Sequence, residues 1–202
     1  QKFGVGERAR HGEGLFIVDS IVVASAFSNM VRWQDKLEIR HSERYVKEHI
    51  MISVIIDGAC GRMGKKITQG VLQQDDMQLI GAIEYAGHPQ IGQDVGQAAG
   101  VGTLGVTISD NLRKIVGQAD VVIEFTTPSA TIEHLRNAVD AGKTIILATT
   151  GYTPDELVEL HGLAAKIPCV MAPNMSVGVN VMLQAIELLA KALGDDYDVE
   201  II

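Results

Sequence analysis

Short apolar runs rich in β-branched residues alternate with segments of helical composition from residue 51 to residue 202. The first run, 52–56, ends at Asp57-Gly58, which is typical of a buried strand that meets a turn. Because the runs are short and continuously apolar, they indicate a parallel sheet covered by helices on both faces. The right-handed crossover rule then predicts a Rossmann-like, doubly wound α/β fold. The further strands are predicted at 77–83, 120–125, 144–148 and 168–172.

Several of the intervening helices carry start and stop signals. Thr153 and Glu156 form a predicted capping box around Pro154, and Gly142 is placed to end the preceding helix in a left-handed turn. Ser109 or Asp110 is expected to cap a short helix that runs through residue 116. Residues 86–106 are expected to form a glycine-rich loop. The longer helices are predicted at 62–74, 129–141, 153–166 and 177–193.

The charge of the chain divides at residue 51. Residues 1–50 hold 8 basic and 7 acidic residues, whereas residues 51–202 hold 9 basic and 18 acidic residues, which leaves a net charge of −8 for the whole chain. Such an acidic balance disfavours a protein that binds nucleic acid through phosphate neutralisation. We expect residues 1–50 to be a leader or an upstream extension, and we assign them no function.

Composition excludes further classes. With 47% hydrophobic residues and no biased tract, the chain is not predicted to be disordered, and no apolar run is long enough for a membrane span. The two cysteines, Cys60 and Cys169, cannot frame a disulfide-rich fold and lack metal-ligand spacing, so we expect a cytoplasmic protein without a metal site.

A glycine-rich turn, Gly58-Ala59-Cys60-Gly61-Arg62-Met63-Gly64, follows the first strand and opens a helix. Glycines let the backbone approach a pyrophosphate, whose charge lies at the helix N-terminus. Cys60 stands where the commoner G-x-G-x-x-G pattern has its second glycine, and a turn that merely joins strand and helix is the alternative. Glu84 ends the second strand 20 residues later, where a carboxylate accepts hydrogen bonds from the adenosine ribose. Together the two features predict dinucleotide binding.

Hydroxyl and amide side chains follow three later strands. They lie in Phe125-Thr126-Thr127-Pro128, in Ala148-Thr149-Thr150-Gly151, and in Ala172-Pro173-Asn174-Met175-Ser176. Because the carboxyl ends of parallel strands share one sheet edge, we expect these residues to line the nicotinamide end of a cleft. Each segment taken singly is also compatible with local turn chemistry.

Four motifs, in order, resemble the dihydrodipicolinate reductase family: GACGRMG at 58–64, EFTTP at 124–128, ATTG at 148–151 and APNMSVGVNVM at 172–182. The resemblance covers residues 51–202. It implies NADH- or NADPH-dependent reduction of 4-hydroxy-tetrahydrodipicolinate, a cyclic dicarboxylate, to tetrahydrodipicolinate in the diaminopimelate route to lysine. It also implies that Thr150 lies near the substrate. The cofactor-binding residues that it implies are Gly58, Ala59, Cys60, Gly61, Arg62, Met63, Glu84, Tyr85, Phe125, Ala148, Thr149, Thr150, Ala172, Pro173, Asn174 and Met175.

The sequence departs from the family pattern at two places. Many members of the family have, after the ribose-binding acid, an arginine that would pair with the 2′-phosphate of NADPH, whereas this chain has Tyr85. Arg62 is still able to reach a phosphate, and we expect a tilt toward NADH or dual use. The family's catalytic His and Lys are expected beyond Ile202, so the chain as given is expected to bind nucleotide without turning over substrate. The resemblance implies a homotetramer built through that further domain, and the same assembly is doubtful for this fragment. Ordinary solvated roles are expected for all six histidines, with His134 and His161 at exposed helix positions and His88 in a loop.

The predicted organisation is therefore a leader at 1–50, a dinucleotide-binding domain at 51–196, and the first strand of a truncated second domain at 197–202. Two alternatives stay open. One is another two-domain nicotinamide dehydrogenase, such as an aspartate or homoserine dehydrogenase, which the threonine and NMSVGVN motifs disfavour. The other is a nucleotide-sensing Rossmann module without chemistry.

Overall fold

The computed structural model of the chain describes residues 15–17, 51–198 and 200, and it describes side chains for the last two of these ranges. Seven parallel strands form a single sheet in the order β1-β7-β6-β5-β2-β3-β4. The strands are β1 (Leu15–Ile17), β2 (Ile52–Asp57), β3 (Met77–Ile83), β4 (Ile108–Ser109), β5 (Val121–Glu124), β6 (Thr144–Leu147) and β7 (Cys169–Met171).

The chain winds outward from β2 in two directions. It first runs through β3 to β4, then returns to place β5 on the other side of β2 and continues to β6 and β7. This reversal is the topological switch point of a doubly wound sheet, which confirms the predicted fold. Asp57 and Glu124, the last residues of β2 and β5, are direct partners in the parallel register.

Helices cover both faces of the sheet. Alternate residues of β2 point to opposite sides, and Val54, Ile55 and Ile56 are all fully buried. The helices are α1 (Arg62–Val71), α2 (Val95–Ala99), α3 (Pro128–Ala141), α4 (Pro154–Ala164) and α5 (Val177–Leu193). Ile55 belongs to the core beneath α3 and α4, whereas Val54 and Ile56 belong to the core beneath α1 and α2.

The predicted capping box and the predicted end at Gly142 are confirmed. Thr153 and Glu156 form the reciprocal capping box at the start of α4. Gly142 ends α3 with φ of 63°. The expected cap at Ser109 or Asp110 is wrong, because Ser109 lies in β4 and the Asn111 side chain instead accepts from the Lys114 N–H. Two 3₁₀ turns, Leu112–Lys114 and Val116–Gln118, replace the expected short helix.

Asp94 organises the segment that was predicted to be only a loop. Its carboxylate caps α2 by accepting from the backbone N–H of Gly96 at 2.9 Å and of Gln97 at 3.2 Å. It also accepts from Leu104 at 3.1 Å and Gly105 at 2.7 Å. One side chain therefore closes the segment on itself between β3 and β4.

Helix α5 has the predicted bounds, but its apolar residues are largely exposed. Leu188 is 69% and Leu189 is 59% exposed, and Asn180 is its one buried residue among those described. The stretch Val177–Asp196 is long and apolar enough to cross a membrane, with mean hydropathy 1.4, and core helices of soluble proteins share these two features. The predicted strand at 197–202 is not formed by Tyr197, Asp198 or Glu200, and the rest of it lies outside the described residues.

Candidate functional site

The carboxyl ends of β2, β3, β5, β6 and β7 meet at one edge of the sheet. Every residue predicted to bind cofactor lies on or directly after one of these ends. The glycine turn follows β2, and Glu84 follows β3. The two threonine segments and the segment 172–175 follow β5, β6 and β7.

The turn after β2 requires glycine at its two ends. Gly58 has φ of +78°, and a Cβ there would overlap the carbonyl oxygen of Phe125 after β5. A Cβ on Gly64 would overlap the Gly58 carbonyl. The N–H groups of Gly58 and Ala59 both donate to the Ile83 carbonyl at 3.0 Å. The turn is thus a bare backbone surface packed tightly between β3 and β5.

Helix α1 begins without a capping side chain, at least from any described residue, and without an acidic residue in its first turn. Asp94, Thr153 and Ser176 supply such caps to α2, α4 and α5. The first N–H groups of a helix have no partner within it, and their dipoles favour an anion. The start of α1, with Arg62 as its first residue, therefore fits a phosphate group.

Glu84 lies against the glycine turn. Its Oε1 accepts from the Cys60 N–H at 2.8 Å, and its Oε2 from the Tyr85 N–H at 3.3 Å. The side chain is half-buried, so it retains acceptor capacity toward solvent. Tyr85 is 66% exposed beside it.

A buried carboxylate, Glu124, joins the ends of β5 and β6. It accepts from the Thr126 N–H at 2.9 Å, from the Thr131 hydroxyl at 2.8 Å and from the Thr149 hydroxyl at 3.0 Å. The Thr126 hydroxyl contacts it as well, and the Thr126 N–H also reaches Thr149 Oγ1 at 3.0 Å. Burial raises the pKa of Glu124, and the nearby Asp57 charge also raises it, against the lowering effect of the threonine hydrogen bonds. The sequence motif contained this residue, but its role as the organiser of both threonine segments was not predicted.

A second buried carboxylate, Asp57, pairs with His134 Nδ1 from α3. Burial raises the pKa of Asp57, against the lowering contact with His134. Burial lowers the pKa of His134, but its contact with Asp57 and the charges of Asp57 and Glu124 outweigh that effect and raise it overall. The prediction of an exposed His134 is therefore wrong, since its side chain is 18% exposed. The spacing offered a signal, because positions 131 and 138, three before and four after it, are buried on the same helix face.

The segment after β7 is held by amide side chains. Asn174 Oδ1 accepts from the Ser176 N–H at 2.8 Å. Asn180 Nδ2 donates to the carbonyls of Asn174 at 3.2 Å and Ser176 at 2.8 Å. The local turn chemistry considered for Asn174 is thus present, and Asn180 is a supporting residue that the sequence did not single out.

The predicted cofactor residues differ in exposure. Ala59, Thr149 and Ala172 are buried beneath the edge. The exposed ones are Gly61, Arg62, Met63, Tyr85, Thr150 and Pro173. His88, expected to be solvated, is half-buried and packs edge-to-face on Tyr85, with 5.1 Å between ring centroids.

Comparisons with known proteins give a consistent result. The model of the family described as dihydrodipicolinate reductase, N-terminus, matches residues 52–175. The 4-hydroxy-tetrahydrodipicolinate reductase of Trichlorobacter lovleyi is 48% identical over 152 residues, and that of Citrifermentans bemidjiense is 44% identical over the same length. Each alignment covers 75% of this chain and 57% of the relative, so the chain spans little more than half the length of these reductases.

A solved structure shares the fold. The dipicolinate-bound dihydrodipicolinate reductase from Paenisporosarcina sp. TG-14 superposes with a TM-score of 0.56 at 24% identity, covering 69% of this chain and 54% of that one. The family match spans more than half of the chain, and it includes the glycine turn, Glu84 and both threonine segments. The chain therefore belongs to the dihydrodipicolinate reductase family, of which it matches the N-terminal part.

Proposed function

We propose that the whole protein reduces 4-hydroxy-tetrahydrodipicolinate to tetrahydrodipicolinate with NADH or NADPH, in the diaminopimelate route to lysine, and that residues 51–196 bind the dinucleotide. The observation that carries the proposal is the glycine turn. It is wedged between β3 and β5, ends at an uncapped helix N-terminus and touches the Glu84 carboxylate. We further propose a cytoplasmic location, a dicarboxylate substrate and a tetrameric whole protein.

The chain's own residues have separable roles in this proposal. The N–H groups at the start of α1 hold the pyrophosphate, and Glu84 accepts the hydroxyls of the adenosine ribose. Thr126 and Thr149, held by Glu124, border the nicotinamide, while exposed Thr150 contacts the substrate. When bound, the reduced nicotinamide supplies the hydride. The protein's contribution is to hold the ring in one orientation against its acceptor and to limit water.

The cofactor preference follows from the residue after Glu84. Tyr85 offers no positive charge to a 2′-phosphate, so we propose that NADH binds at least as well as NADPH. Arg62 lies at the first position of α1 and supplies a cation to either cofactor. A strong preference for NADPH in titrations of both cofactors would contradict this assignment.

Titration of NADH by its fluorescence, with the full chain, tests the binding. We expect saturable binding. We also expect the free energy of unfolding to rise by about 2.7 kcal/mol when NADH is present at one hundred times its Kd. Gly58→Ala should abolish binding. Gly162→Ala, a substitution in α4 with open space around the new Cβ, is the matched control and should bind normally. Absence of binding at millimolar NADH refutes the cofactor assignment.

Turnover is tested on the whole protein encoded by the gene. Loss of NADH absorbance upon addition of the condensation product of aspartate semialdehyde and pyruvate supports the reductase. Tight NADH binding without any turnover by the whole protein would instead favour the nucleotide-sensing alternative.

A further inference from the structure

Three side chains of different chemistry converge beside the glycine turn. The Cys60 thiol, the Glu84 carboxylate and the His88 imidazole each place one ligand atom within 4.8 Å of the other two. All three residues are half-buried, so the group is enclosed on one side and open to solvent on the other. We refer to Cys60, Glu84 and His88 as the triad.

The triad is held in place from several directions. Cys60 lies in the turn after β2, and its N–H donates to Glu84 at 2.8 Å, which fixes the carboxylate against the turn. His88 packs on the Tyr85 ring, and its Nδ1 accepts from the Gln90 N–H at 3.2 Å. Two loops that are distant in sequence are thus brought together at the end of β3.

The chemistry of the triad selects a particular class of cation. Thiolate, imidazole and carboxylate together are the ligands of zinc sites, whereas magnesium and calcium prefer oxygen ligands alone. Three protein ligands leave a fourth position for water, as in open zinc sites. Burial and the Glu84 charge raise the pKa of the Cys60 thiol to about 11, so the free thiol is protonated and metal binding must release its proton.

The distances need only a small adjustment. Zinc–sulfur bonds of about 2.3 Å and zinc–nitrogen bonds of about 2.0 Å place tetrahedral ligand atoms about 3.5 Å apart. The ligand atoms of the triad lie within 4.8 Å of one another, so they must approach by about 1 Å, which requires only side-chain rotation of the three half-buried residues. The Cys60 N–H bond to Glu84 remains compatible with a metal on the second carboxylate oxygen.

We propose that Cys60, Glu84 and His88 bind one Zn²⁺ ion, and that the bound ion excludes the dinucleotide by occupying Glu84. The second half of this statement rests on the proposed function, since it requires Glu84 to bind the ribose. Zinc would then act as a reversible competitor of the cofactor at the adenosine end of the site.

Metal binding is tested first, on the full chain and without nucleotide. Co²⁺ should bind at one equivalent and produce an ultraviolet thiolate-to-cobalt charge-transfer band, which added Zn²⁺ abolishes. Cys60→Ser should remove the band although Cys169 remains in the buried core. His88→Gln should weaken Zn²⁺ binding at least ~10-fold. His161→Gln, a half-buried histidine on α4, is the matched control and should leave it unchanged. A band that survives Cys60→Ser, or the absence of any band, overturns the proposal.

Competition is tested second, with NADH fluorescence. The apparent Kd for NADH should rise in proportion to free Zn²⁺ and return to its starting value upon addition of EDTA. His88 is not itself a proposed cofactor-binding residue, so in His88→Gln NADH should bind as before while the Zn²⁺ effect falls at least ~10-fold. Zinc binding without competition overturns the second half of the proposal. A metal-free chain that does not bind NADH contradicts the proposed function, while the cobalt result stands independently.

Discussion

His134→Leu tests the buried ion pair behind the glycine turn. The Asp57 side chain is 1% exposed and faces His134, so the substitution leaves a carboxylate buried without its cation. Removal of one partner from a buried pair costs roughly 3–5 kcal/mol of unfolding free energy. Because burial already raises the pKa of Asp57, we expect this carboxyl to take up a proton in the variant rather than remain charged.

Protonation sets an upper limit to the cost and gives it a pH dependence. A carboxyl with a pKa of about 3.9 in the unfolded chain costs at most about 4 kcal/mol to keep protonated at pH 7, and about 1.5 kcal/mol at pH 5. The folded variant binds more protons than its unfolded state, so its stability falls as the pH rises above the unfolded pKa. In the unmodified chain the pair is charged only between the raised pKa of Asp57 and the raised pKa of His134. It therefore weakens as the pH falls through the first pKa and as the pH rises through the second.

Urea unfolding followed by far-ultraviolet circular dichroism at pH 5 and pH 7 provides the measurement. We expect the deficit of His134→Leu relative to the unmodified chain to grow from pH 5 to pH 7, by at most about 2.5 kcal/mol. Asp57→Asn in the same background removes the titrating group and should abolish that growth. A deficit below about 1 kcal/mol at pH 7, or one equal at both pH values, would refute the description of a buried ion pair.

Three further outcomes follow from the site. An alanine at position 58 must adopt a left-handed backbone conformation, which costs roughly 1–2 kcal/mol, and its Cβ also overlaps Phe125, so Gly58→Ala should lower the unfolding free energy by more than that amount. Gly162→Ala should raise the unfolding free energy slightly, and urea unfolding measures both variants. Glu84→Gln should weaken NADH binding about 10-fold or more, because the ribose loses a charged hydrogen-bond acceptor. Glu133→Gln, on the exposed surface of α3, should leave NADH binding unchanged, and an equal Kd in both variants contradicts the role of Glu84. Tyr85→Arg should improve NADPH binding relative to NADH about 10-fold, by adding a cation beside the 2′-phosphate; unchanged relative affinities in paired titrations count against that position.

The fold was predictable because parallel strands are buried on both faces and therefore appear as continuous apolar runs. The run at 52–56 extends to Asp57 in the structure, and the runs at 77–83, 120–125, 144–148 and 168–172 contain β3, β5, β6 and β7. The short strands β1 and β4 were not predicted, and the described residues of 197–202 form no strand. Helix α2 was missed because its formation depends on Asp94, whose four backbone partners include Leu104 and Gly105, about ten residues away. The residue composition of a segment does not show that one side chain will close a loop across about ten residues.

The candidate site was predictable at the level of strand ends but not at the level of its support. The glycine turn and Glu84 follow from spacing, because backbone sterics and sheet geometry determine both. The carboxylates Asp57 and Glu124 lie at the ends of apolar runs, and only the register of β2 and β5 reveals that they are neighbours. The triad likewise joins residues 28 positions apart in sequence, which no linear metal motif anticipates.

Among the described residues, the exposed flank of α5 determines where local opening begins. The helix buries only Asn180 among its described residues, so its 17 residues depend mainly on their own hydrogen bonds and on the Ser176 cap. A helix of this length is only marginally stable in water when packing contributes little. Its amide protons should therefore exchange with solvent by local fraying, whereas those of β2 and β5 exchange only when the whole sheet opens. Asn180 ties the first turn to Asn174, so this fraying ends before it reaches the strand-end residues of the site.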